Sequence, residues 1–173
     1  MNAVFENTHT GRTSWGRLLP LAALLALVLA GLGANQATAK QSTPFTSSVA
    51  GTLSQTAPDA YALVGSGKAN KFGNIKNYSA TVQITGGDMV NGPITDTLTE
   101  TLTFSNTDSI TISCQQVAYP VSPGSPVLEG SDTWTVVSGT GRFSNASGSG
   151  TGHTHADLQG GTFTKDMTGN IDL

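Results

Sequence analysis

Between Ile94 and Phe104 the chain alternates without a slip. Ile94, Leu98, Leu102 and Phe104 fall at one parity, with Asp96 and Glu100 among them, and Thr95, Thr97, Thr99, Thr101 and Thr103 fill the other. A two-residue period is the signature of a β-strand, because successive side chains point to opposite faces. A face of threonines suits a wet pleated surface, where β-branched side chains pack well. This segment has to be a strand with one oily side and one watered side.

The same rhythm runs through the rest of the chain after Ala39, and no helical period competes with it. Phe45, Val49 and Leu53 are in phase, a short run follows from Tyr61 to Lys68, and Tyr78, Ala80, Val82 and Ile84 form a third. Asn106-Thr107-Asp108 predicts a hairpin turn into Ser109–Val117. Pro120, Pro123, Gly124 and Pro126 mark a longer loop before a run at Gly130–Ser138 that carries Trp134 and Val136. Gly139-Thr140-Gly141 breaks that run, and a glycine-bearing segment from Arg142 to His155 follows. Gly160-Gly161 turns into a last strand, where Phe163, Met167 and Ile171 are in phase. Glycine inside a strand marks a bulge or a barrel corner.

About eight strands with short connections imply sequential antiparallel pairing. An open sheet of this size would leave two unpaired edges. Eight is also about the number at which a sheet closes into a cylinder filled by its own side chains or holding one small ligand. The expected fold is therefore all-β, an eight-stranded antiparallel β-barrel, with a two-sheet β-sandwich as the alternative.

Residues 1–39 have a different character. Arg12 and Arg17 precede a Leu/Ala/Val run from Leu18 to Leu32, and Ala37-Thr38-Ala39 forms a small-x-small site. These are the three parts of a secretory signal peptide. The run falls short of the roughly 20 apolar residues that span a bilayer. The expectation is cleavage after Ala39, no stable membrane span thereafter, one domain over 40–173, and a secreted or extracytoplasmic location. Charged residues make up 11% of the chain and the net charge is −3. No basic patch is present, so nucleic acid is not an expected partner. The single cysteine, Cys114, leaves no internal disulfide, and its parity with Ile110 and Ile112 reads as a small buried hydrophobe.

Residues 136–143 read Val-Val-Ser-Gly-Thr-Gly-Arg-Phe, followed by Ala146 and Gly148. This stretch resembles the signature of dirigent proteins and allene oxide cyclases, in which a strand ends in a Gly-Thr-Gly or Gly-Ser-Gly turn, then an aromatic, then a small residue and glycine. The resemblance covers about a dozen residues. It implies an eight-stranded barrel with a central cavity that positions a reactive apolar molecule, and it favours a homo-oligomer. It implies no cofactor. Glycines at 139 and 141 open backbone angles closed to other residues, so that Phe143 can plug the barrel end.

Three groups of side chains are candidates for chemistry. Asp96 and Glu100 share the oily face of their strand, where burial would raise their pKa values and suit them to acid/base catalysis. The large side chains Tyr78, Leu98, Leu102, Phe104, Trp134 and Phe143 form either a packed core or the lining of a ligand site. His153, His155 and Asp157 stand two apart and could offer metal ligands, or form a solvated strand end. The leading expectation is an exported barrel that binds a small hydrophobic or aromatic molecule. A cofactor-free isomerase or cyclase using Asp96 or Glu100 is the second reading. A structural or surface-interaction protein with a filled interior is the third.

Overall fold

The computed structural model describes residues 40–173, which form a closed eight-stranded antiparallel barrel. The leader and its cleavage site lie outside the described residues. The strands are β1 (Ser42–Ala57), β2 (Ala60–Ala69), β3 (Gly73–Gly87), β4 (Ile94–Phe104), β5 (Ser109–Pro120), β6 (Val127–Gly139), β7 (Ser147–Asp157) and β8 (Thr162–Asp172). Each pairs with its neighbour in sequence. The ring closes where β8 returns to β1, from Ser42 opposite Asp172 to Thr52 opposite Thr162. The sandwich alternative is thereby replaced: closure leaves no free edge to protect.

The period-two faces are kept in the cylinder. Along β4 every residue from Ile94 to Phe104 at even positions is buried, and the threonines between them are exposed or half-buried. Neighbouring threonines pair across the outer wall, as Thr101 and Thr111 do at 3.2 Å between hydroxyls. The wall is thus polar outside and oily inside, the reverse of the apolar outer band of a transmembrane barrel. Among the described residues no helix is long and apolar enough to cross a membrane.

One segment departs from the expected strands. The seventh run does not begin at Arg142: Gly141–Phe143 is a short 3-10 turn, and β7 starts at Ser147. The turn is needed to swing Phe143 back under the barrel, where it is completely buried. Gly141 has φ of +58°, and a Cβ there would lie 1.8 Å from Asp108 Oδ1, so any other residue is strained and displaces the Asp108 carboxylate.

The two ends of the barrel differ. At one end Phe72 of the β2–β3 connection, Phe104 at the end of β4 and Phe143 of the β6–β7 connection turn inward. Their rings stack with centroids 5.6 Å (Phe72–Phe143) and 5.1 Å (Phe104–Phe143) apart. Arg142 lies over all three, 4.8 Å from the Phe143 centroid, and donates from Nη2 to the Phe72 carbonyl at 2.7 Å. Phe45 and Trp134 continue the plug inward, edge to face at 5.7 Å. The other end, bounded by the turns after β1, β3, β5 and β7, has no such plug.

Strand glycines act here by their lack of bulk. A Cβ on Gly150 or Gly169 would come within 2.5 or 2.6 Å of the Trp134 ring. One on Gly152 would meet the Asp132 carboxylate at 2.6 Å, and one on Gly130 the Gln116 amide at 2.7 Å. The glycines of β6, β7 and β8 are seats for large or polar side chains that cross the interior.

Candidate functional site

Two polar layers sit inside the oily wall. The deeper one centres on Lys165 of β8, whose side chain is completely buried. Its ammonium forms a hydrogen-bonded ion pair with Glu100 of β4, and lies 2.9 Å from Asp132 Oδ2 of β6 as an ion pair without hydrogen-bond alignment. Cys114 of β5 donates from Sγ to the same Glu100 oxygen at 3.2 Å, and its sulfur lies 3.9 Å from Lys165 Nζ. Burial works against the Lys165 charge, but the facing Glu100 and Asp132 outweigh it and hold the ammonium above its ordinary pKa. Burial, with Glu100 beside it, pushes the Cys114 thiol up, so it stays protonated and unreactive. The Tyr78 hydroxyl is raised in the same way, by burial first and then by Glu100.

The shallower layer lies toward the unplugged end. Asp96 Oδ2 accepts from Gln116 Nε2 at 3.1 Å, and both residues are buried. Burial raises the Asp96 carboxyl to about 6, against partial relief from Gln116 and Lys165. Above this pair opens a well of about 50 Å³. Its wall is apolar, with Leu53, Leu63, Val82, Leu98, Leu128 and Leu158 prominent, and its floor carries Asp96, Gln116 and Thr154. A water occupies about 10–15 Å³ on this measure, so the well has room for a few waters or one slender group. A larger and more open concavity is lined by threonines and glutamines and also touches Asp96 and Asp132.

The structure sorts the residues singled out in the sequence. Asp96 and Glu100 both face inward as expected, but only Asp96 reaches the well, because Glu100 is locked to Lys165 beneath it. Of the six large residues, Leu98 lines the well. Tyr78, Leu102, Phe104, Trp134 and Phe143 belong to the continuous packed core. His153 and His155 point outward, flanking Glu129 at 3.4 and 2.6 Å, and Asp157 accepts the backbone N–H groups of Gln159 and Gly160 in its own turn. Among the described residues no group of His, Cys, Asp and Glu is arranged to hold a metal ion.

Gln116 and Thr154 of the shallower layer were not singled out, nor were two residues of the deeper one. Lys165 lies between Phe163 and Met167 at the same parity, and Asp132 lies two before Trp134. The alternation alone therefore marks both as interior. What it lacks is any sign that β8 and β4 bring Lys165 to Glu100.

No protein-family model, curated protein or solved structure matches this chain. The functional reading therefore rests on the geometry of the site.

Proposed function

We propose that this is an exported binding protein that takes a small apolar molecule into the well at the unplugged end of the barrel. The observation that carries the reading is the well itself: an apolar wall with three buried polar residues, in a barrel whose interior is otherwise a continuous hydrophobic core. Ligand sites combine those two features, apolar lining for affinity and a few placed polar groups for orientation. The volume of about 50 Å³ suits one slender group entering by one end. The signal-like leader supports action outside the cytoplasm.

The test is a thermal-shift and native mass spectrometry screen of lipids and phenolics against wild type and Leu63→Trp, which fills the well. Binding raises the wild-type Tm in proportion to ligand over Kd, and the filled variant does not respond. If no apolar compound shifts the wild type, the reading fails.

A second reading has one specific observation in its favour. Asp96, raised to about 6, is a carboxyl poised for proton transfer near neutral pH at the base of an apolar site. A cofactor-free isomerase or cyclase would use it as the acid or base, and the resemblance to dirigent proteins and allene oxide cyclases makes epoxides and phenoxy-radical donors the substrates to try. The pH–rate profile of wild type against Asp96→Asn and Glu100→Gln decides it: only the first substitution should remove the limb near pH 6.

A further inference from the structure

The floor of the well has a chemical bias that its wall does not. Asp96 Oδ1, Gln116 Oε1 and Thr154 Oγ1 are buried without a hydrogen-bond partner, on residues 6%, 9% and 5% exposed, and all three residues line the well. The Gln116 amide is oriented by Asp96: its N–H₂ is given to Asp96 Oδ2, and turning it over would set two acceptors face to face. Its oxygen is therefore left looking for a donor. A carboxylate oxygen is an acceptor whenever ionised, and a threonine hydroxyl serves either way. Beside the well, then, lie two fixed acceptors and one adaptable group without partners.

The charges behind the floor lean the same way. Asp96, Asp132 and Glu100 face Lys165 across the interior, three carboxyl groups to one ammonium, while Tyr78 and Cys114 beside them are held protonated. An incoming anion meets this excess of carboxylates. An incoming cation or neutral donor satisfies it.

We propose that the well selects apolar molecules that end in a hydrogen-bond donor, a primary amine or a hydroxyl, and rejects those that end in a carboxylate. The proposal rests on the reading of the well as a ligand site and names the class of ligand. Buried acceptors left unpartnered are costly, so a donor that reaches them gains about tenfold or more in affinity over a tail without one. For the amine, binding tightens as the pH rises through about 6, because Asp96 then carries its charge. The alcohol lacks that dependence.

Titration calorimetry of the purified protein with hexylamine, hexanol, methyl hexyl ether and hexanoate tests this. The expected order is amine and alcohol together, at least about tenfold tighter than the ether, with hexanoate weakest at neutral pH. Asp96→Asn should abolish the pH dependence of the amine and weaken it toward the alcohol. Thr154→Val should weaken both and serves as the second variant if Asp96→Asn folds poorly. Ether or hexanoate binding as tightly as the amine would overturn the donor selectivity while leaving an apolar binding site standing. Binding by none of the four would overturn the site and the selectivity together.

Discussion

The two ends of this barrel are built from the same alternating strands and do opposite things. At one end Phe72, Phe104 and Phe143 gather into a cluster of tilted rings, and Arg142 clamps it from outside. Arg142 also approaches Asp108 Oδ2 at 3.6 Å. At the other end leucines line a well whose floor is a carboxyl and an amide with unpartnered oxygens. Aromatic pairs add about 0.5–1.5 kcal/mol each beyond the area they bury, so the plug is where stability is concentrated. Unsatisfied buried oxygens carry a penalty, and they lie both beside the well and in the Lys165 layer, where Glu100 Oε2 and Asp132 Oδ1 also lack partners. Between them the Lys165 layer separates a sealed half from an accessible one. Local surrender of stability in an otherwise over-determined core is what a ligand site requires.

The contrast can be broken at four places. The largest effect is expected at the divider. Lys165→Met leaves Glu100 and Asp132 buried without their cation, a loss at or above the upper end of roughly 3–5 kcal/mol. Guanidinium denaturation should show it, and adding Glu100→Gln with Asp132→Asn should recover much of it, because the three residues act as one network.

Opening the plug comes next. Phe143→Ala should cost roughly 3–5 kcal/mol through lost burial and an unfilled cavity. Ligand affinity at the far end should stay unchanged in the folded fraction. A matching loss of affinity would show that the two ends are not independent.

The well itself gives a smaller, pH-dependent effect. The Asp96 carboxyl is raised from 3.8 to about 6 in the folded protein. The native state therefore holds this proton more tightly than the unfolded chain. The contribution to stability is fully present below about pH 4, declines as the pH rises through about 6, and is gone above it, a change of about 3 kcal/mol. Asp96→Asn should remove that slope from Tm against pH.

The clamp is last. Arg142→Met keeps the aliphatic stem and discards the cation, the carbonyl hydrogen bond and the approach to Asp108. The expected loss is about 1 kcal/mol for this partly exposed group, measured by the same denaturation.

Much of this architecture was legible along the chain. The interior positions of Asp96, Glu100, Cys114 and Trp134 follow from parity with their oily neighbours, and the plug role of Phe143 follows from the glycines before it. The turn that delivers Phe143 was less visible, since a 3-10 segment at Gly141–Phe143 leaves no period to read. The strand glycines were legible as irregularities only. That Gly150 and Gly169 seat Trp134, and Gly152 seats Asp132, depends on the partner strand.

Alternation by itself settled most of which side chains face inward, because a pleated strand turns each residue to the opposite face of its neighbours; only a bulge against a partner strand resets the phase, as between Ile75 and Tyr78 in β3. Which inward side chains meet was decided only by closing the cylinder. Lys165 and Glu100 are 65 residues apart and lie on strands across the interior from one another. Strand stagger sets the level at which each side chain enters, and that level determines whether a carboxyl oxygen meets an ammonium, as Glu100 Oε1 does, or an amide, as Asp96 Oδ2 does.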